Sequence, residues 1–186
     1  MVVVLSPEQR QKDLKPSMNS ASIFRALVDA QAEVVVIGGW AAVVQGVSHV
    51  TNDIDLCYNP TPDNRRKLVQ AIAPLKPFLR VGRLTADEAR MLPFVWDERT
   101  LRDSPNVTLQ TDIGDLDLLM SIPGVGDYAH VRAAAKPLDV LGITIPVLDL
   151  PALLMSKRAT GRPKDQQQIP LIEAALLLRE SEQQQG

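Results

Sequence analysis

The stretch "VVVIGGWAAVVQGVSHVTNDIDL" spans residues 34–56. An apolar run ends in a glycine pair, and two aspartates one residue apart then stand inside a second apolar run. Val34 to Ile37 is short and β-branched, which reads as a buried strand. Gly38 and Gly39 turn the chain into a short helix from Trp40 that ends near Gly46, and Val50 to Asn59 reads as the next strand. Side chains two apart in a strand share a face, so Asp53 and Asp55 project together while Ile54 and Leu56 point into a core. Two neighbouring carboxylates taken out of water need a counter-charge, and residues 34–56 contain no Lys or Arg. A divalent cation supplies one. Mg²⁺ prefers oxygen ligands and commonly uses a few carboxylates together with substrate phosphates. The glycines fit the same picture, because backbone N–H groups at a helix start can cradle a phosphate that approaches unhindered by a side chain.

A third carboxylate stands in "GDLDLLM", residues 114–120, where Asp117 lies between Leu116 and Leu118. Asp115 is nearer the Gly114 turn and is expected to be more exposed. Three carboxylates can hold two Mg²⁺ ions, one orienting a triphosphate and one activating an attacking hydroxyl, with the third carboxylate placed to take the proton.

Around this centre the chain reads as one domain of mixed elements. "NSASIFRALVDAQA" has Ile23, Leu27 and Val28 on one helical face, with Asn19 or Ser20 as cap. "TPDNRRKLVQAIAPL" opens a helix on Thr61, Pro62 and Asp63. Residues 76–105, with scattered prolines and charges, read only as short surface elements. "NVTLQTDIGDLDLLMS" reads as a hairpin turning near Asp112 to Gly114, "GDYAHVRAAAK" as a short helix, and "LDVLGITIPVLD" as two strands around Gly142. Asp149 caps a helix that Gly161 stops, and a final amphipathic helix is expected from Gln168. Lys157, Arg158, Arg162 and Lys164 cluster around Gly161. They read either as a solvated helix end that suits the dipole or as an anion site.

Composition bounds the classes. The chain has 186 residues, of which 45% are hydrophobic and only 4% aromatic, so aliphatic side chains must form the core. A formal net charge of -2 gives no overall basic footprint for nucleic acid. The single cysteine, Cys57, excludes an intrachain disulfide and a cysteine zinc cage, and it reads as a small core residue. His49 and His130 have no companion ligands for a metal. No apolar run is long enough to span a bilayer, and "MVVVLSPEQRQKD" becomes charged too soon for a signal peptide. The expected location is the cytoplasm.

Residues 34–56 resemble the signature of the nucleotidyltransferase superfamily typified by DNA polymerase beta: a strand, Gly-Gly, a short helix, Asp-x-Asp on the next strand and a third Asp on a later one. Thr51 to Leu56 and "SKRATGRPKD", ending at Asp165, are similar to segments of bacterial minimal nucleotidyltransferases, including abortive-infection-type toxins of toxin–antitoxin systems. The resemblance implies an α+β fold, a small mixed sheet flanked by helices. Residues 1–18 would be peripheral, 19–148 the nucleotidyltransferase core, and 149–186 a C-terminal helical part closing on the nucleotide. It implies an NTP donor, Mg²⁺ (or Mn²⁺), and an acceptor hydroxyl on RNA, such as a tRNA 3′ end, or on protein. A toxin would also have a cognate antitoxin as partner. Asp53, Asp55 and Asp117 would be catalytic and metal-binding; Gly38, Gly39, Thr51, Lys157, Arg162 and Lys164 would bind the nucleotide. Two positions depart from the relatives. His49 replaces an Arg two residues before the Thr, and Gln166 to Gln168 stand where many relatives carry a further Asp. Two other readings remain: a small-molecule transferase resembling the aminoglycoside-modifying enzymes, and an inactive nucleotide-binding partner protein.

Overall fold

The computed structural model describes residues 20–51 and 53–184; the expected peripheral segment 1–18 and the Asn19 cap lie outside the described residues. Helix α1 (Ser20–Asp29) buries Ile23, Phe24 and Leu27. Strand β1 (Val34–Val36) is buried at every residue and leads into α2 (Gly38–Val43). This helix starts at the glycines themselves, two residues before the expected Trp40, because Gly38 and Gly39 already turn with it. Strand β2 (Asp53–Tyr58) runs back antiparallel to β1. Helix α3 (Pro62–Ile72) starts as its sequence dictates, with the Thr61 hydroxyl accepting from the Asn64 N–H and Asp63 in the first turn.

Residues 76–105 form the expected short elements: β3 (Phe78–Leu79), α4 (Ala86–Arg90) and α5 (Glu98–Asp103). Thr85 and Glu88 close a capping box on α4, and Asp97 caps α5. The hairpin β4 (Asn106–Thr111) and β5 (Gly114–Leu119) follows. A small ribbon, β6 (Ser121–Ile122) with β7 (Gly126–Asp127), leads to α6 (Tyr128–Ala133). Strands β8 (Ala135–Val140) and β9 (Ile143–Leu148) flank Gly142. Helix α7 (Leu150–Thr160) begins on Asp149 and ends on Gly161 at φ 61°, a left-handed position that glycine adopts without steric cost. The last helix, α8 (Pro163–Gln184), starts five residues before the expected Gln168 and carries Pro170 in its interior. Pro163 fits the first turn, where no backbone donor is needed, and Asp165 suits the positive end of the dipole.

Seven strands make one sheet in the order β3-β4-β5-β2-β1-β9-β8. The β1–β9 and β2–β5 pairs are parallel and the others antiparallel. The architecture is therefore the expected α+β arrangement, a mixed sheet flanked by helices. The core is mostly aliphatic, and within it Phe24 stands edge-on to Trp40 at 5.5 Å. Buried Asn64 ties the start of α3 to the sheet, accepting from the Glu33 N–H at 2.7 Å and donating to the Glu33 and Asn59 carbonyls. Cys57 is buried and its thiol is pushed up to about 12, first by burial, as befits a core residue. Helix α7 packs on α2 and α8, which brings the C-terminal helices over the end of β1. Among the described residues no helix is long and apolar enough to cross a membrane.

Candidate active site

The parallel register of β2 and β5 sets Asp53 opposite Asp115 and Asp55 opposite Asp117. All four carboxylates therefore leave one face of the sheet, while Ile54, Leu56, Leu116 and Leu118 are buried on the other. Carboxylate oxygens of Asp53, Asp55 and Asp117 lie within 4.8 Å of one another. Oxygens around one Mg²⁺ stand roughly 3–4 Å apart, given bonds of about 2.0–2.1 Å, so small side-chain rotations close this set around an ion. Among the described residues neither Asp53 nor Asp55 forms an ion pair. Burial first, then the charges of Asp53 and Asp117, push the Asp55 carboxyl up to about 6. Burial also raises Asp117, against the pull of Arg80. A hard cation is the chemical species that relieves this crowding, and the donor set fits one.

The glycine pair has a reason beyond phosphate access. At Gly38, with φ +61°, a Cβ would stand 2.0 Å from Asp55 Oδ2; at Gly39 it would stand 2.5 Å from Thr51 Oγ1. Bare backbone is needed there by the protein's own side chains. Thr51 in turn donates to the Asp53 carbonyl at 3.2 Å and to Asp53 Oδ1 at 3.4 Å, so it orients the first aspartate. No side chain caps α2, and its first N–H groups have no partner within the helix itself.

The C-terminal cluster is not a simple solvated helix end. Lys157 is 7% exposed and Asp165 is 0% exposed. Lys157 Nζ donates to Asp165 Oδ1 at 2.8 Å, while Thr160 Oγ1 and Arg162 Nε donate to Oδ2 at 2.8 and 2.7 Å. Burial alone would raise Asp165, but these three donors outweigh it and hold the carboxyl at about 2. Lys164 is exposed and, among the described residues, forms no ion pair. Asp165, unassigned from sequence although it ends "GRPKD", thus pins α7 to α8.

The two departures from the relatives touch each other. With the His49 ring neutral, Gln168 Nε2 donates to His49 Nε2 at 2.8 Å. Burial, then Lys157, lower the pKa of His49 and keep it neutral. Gln168 Oε1 is buried without a partner.

Arg80 has no counterpart in the sequence expectations. It follows β3 and faces β5, where Nη2 donates to both oxygens of Asp117 at 2.6 and 2.7 Å and Nη1 to Asp115 Oδ2 at 3.1 Å. Asp115 is more exposed than Asp117, as expected, at 35% against 16% of the side chain, and it is paired with Arg80. Nothing in the spacing of residues 76–105 marks Arg80.

Gly38, Gly39, Thr51, Asp53, Asp55, Asp117, Lys157, Arg162 and Lys164 all line one cleft of about 580 Å³, whereas Arg158 of the basic cluster does not and pairs with Glu173. Ile122, Pro123 and Leu153 form an apolar part of its wall.

No protein-family model matches the chain, and a comparison with curated proteins gives no match. Solved structures do match. The antibiotic-resistance factor ANT(2'')-Ia in solution aligns with a TM-score of 0.55 at 15% identity over 93% of this chain and 94% of that one. ANT(2'')-Ia in complex with adenylyl-2''-tobramycin gives 0.54 at 15% identity over 91% and 97%. TM1012 of Thermotoga maritima, classed as a nucleotidyltransferase, gives 0.53 at 16% identity over 89% and 91%. The chain is thus similar in fold, across nearly its whole length, to proteins of the nucleotidyltransferase class.

Proposed function

We propose that this chain is a metal-dependent nucleotidyltransferase. It would move an NMP from an NTP to an acceptor hydroxyl with release of pyrophosphate. The observation that carries this reading is the trio of Asp53, Asp55 and Asp117 on one face, two of them in no ion pair among the described residues, lining a cleft.

Asp53 and Asp55 would hold Mg²⁺ (or Mn²⁺), with Asp117 completing the set. When bound, the cation supplies positive charge for the triphosphate and for the developing alkoxide. Thr51 keeps Asp53 in place, and the first N–H groups of α2 face the β- and γ-phosphates. Lys164 lines the cleft without an ion pair among the described residues; Lys157 and Arg162, fixed by Asp165, add positive potential behind it. Asp117 accepts the proton of the acceptor hydroxyl as its oxygen bonds to the α-phosphorus. The bond from that phosphorus to the bridging oxygen breaks, and pyrophosphate carries away the electron pair.

The acceptor we favour is RNA, such as a tRNA 3′ end, or a protein hydroxyl. The likeness of Thr51–Leu56 and Lys157–Asp165 to abortive-infection-type toxins supports a toxin role with a cognate antitoxin. Cleft charge supports the same side. Apart from the three aspartates no carboxylate lines the cleft among the described residues, whereas Lys157, Arg162 and Lys164 do. A polycationic aminoglycoside would find little to pair with. The adenylylated tobramycin bound by ANT(2'')-Ia keeps the small-molecule reading as the second one and makes ATP the first donor to test. Incubation with each labelled NTP, Mg²⁺ and either total RNA, cell protein or tobramycin separates them. Label in RNA or protein supports the favoured acceptor, label in tobramycin selects the second, and label in none removes the proposal.

A further inference from the structure

Four carboxylates on one face are one more than the cation set uses, and a single guanidinium lies among them. Arg80 Nη2 reaches both oxygens of Asp117, at 2.6 and 2.7 Å, so that either oxygen a cation could take is already engaged. Nη1 holds Asp115. The backbone of Arg80 is itself fixed, its N–H donating to the Thr108 carbonyl at 3.0 Å. Charge-assisted contacts of this kind are short and strong.

On the metal-site reading above, we propose that Arg80 is a positioning residue that competes with the divalent cation for Asp117. Asp53 and Asp55, which form no ion pair among the described residues, take the ion first. Asp117 joins when the guanidinium yields its oxygens, and Asp115 keeps Arg80 beside the site meanwhile. The third carboxylate is thereby held in place and charge-balanced until a cation arrives.

The test is Mn²⁺ binding to the metal-free protein by calorimetry, which needs no substrate. Arg80→Gln should tighten Mn²⁺ binding by about tenfold, because one strong charge-assisted competitor is removed. The gain should vanish when Asp117→Asn is already in place. Arg80→Lys, which keeps the charge but has one nitrogen where Arg80 uses two to hold Asp117 and Asp115, should still tighten binding a few-fold; it is the variant to use if Arg80→Gln fails to fold. Unchanged or weaker binding in folded Arg80 variants, or a gain that persists with Asp117→Asn, overturns the competition while leaving the metal site standing. No Mn²⁺ binding by the wild type removes the metal site and the proposal with it.

Discussion

Replacing Lys157 with Ala takes the ammonium away from a carboxylate that water does not reach. The Lys157 side chain is 9% exposed and that of Asp165 0%. Removing one partner of a buried pair costs roughly 3–5 kcal/mol, because the other charge stays buried. Thr160 and Arg162 still donate to Asp165 Oδ2. The Arg162 side chain is 56% exposed, so its contribution is screened by water. The expected loss is therefore near the low end, about 3 kcal/mol. At about 2–4 °C per kcal/mol for a chain of this size, Tm should fall by about 6–12 °C. Urea unfolding followed by circular dichroism measures the loss directly, as a lower midpoint at unchanged slope. Lys157→Met retains the apolar stem and should lose nearly as much, which separates charge from packing. A loss below about 1 kcal/mol in both variants would show that Lys157 is a screened helix-end charge and that the buried knot is not formed.

The same knot sets an acid limb. Asp165 is held at about 2, below its unfolded value of about 4, so its stabilisation is complete above about pH 4 and is lost as pH falls toward 2; Asp165→Asn should flatten that limb in acid titrations of stability. Asp55 is shifted the other way, up to about 6, so in metal-free buffer at pH 8 Asp55→Asn should stabilise the fold by about 1–3 kcal/mol. Mg²⁺ should raise Tm in the wild type and much less in Asp53→Ala/Asp55→Ala; equal shifts would contradict cation binding there. Gly39→Val should destabilise the protein and not merely weaken NTP binding, since its Cβ would meet Thr51; a variant with wild-type Tm would show that the close approach is not real.

The site was legible where chemistry follows local pattern. Asp53 and Asp55 alternate with Ile54 and Leu56, and period two is enough to place them on one face. Asp117 repeats the same setting in a strand whose hairpin turn is visible at Gly114. The caps Thr61 and Asp149 and the stop at Gly161 are written in single residues. What stayed hidden depends on contacts distant in sequence. Arg80 meets Asp117 across 37 positions, and His49 meets Gln168 across 119, and no local periodicity reports such pairs. Lys157 looks like an ordinary last-turn cation until Asp165, on the next helix, is known to fold back on it. The start of α8 is hard to read locally because it follows the Gly161 stop so closely, with Pro163 serving as a first-turn residue.

Transfer of the α-phosphate is the direct test of nucleotidyl transfer by the aspartate trio. The protein is incubated with ATP labelled at the α- or the γ-phosphate, Mg²⁺, and pooled cell RNA and protein, beside Asp55→Asn. The account expects α-label, and no γ-label, to enter an acceptor with matching pyrophosphate release, and both signals to vanish in Asp55→Asn or with chelator. Incorporation of γ-label, or α-label transfer that survives in Asp55→Asn, would contradict it.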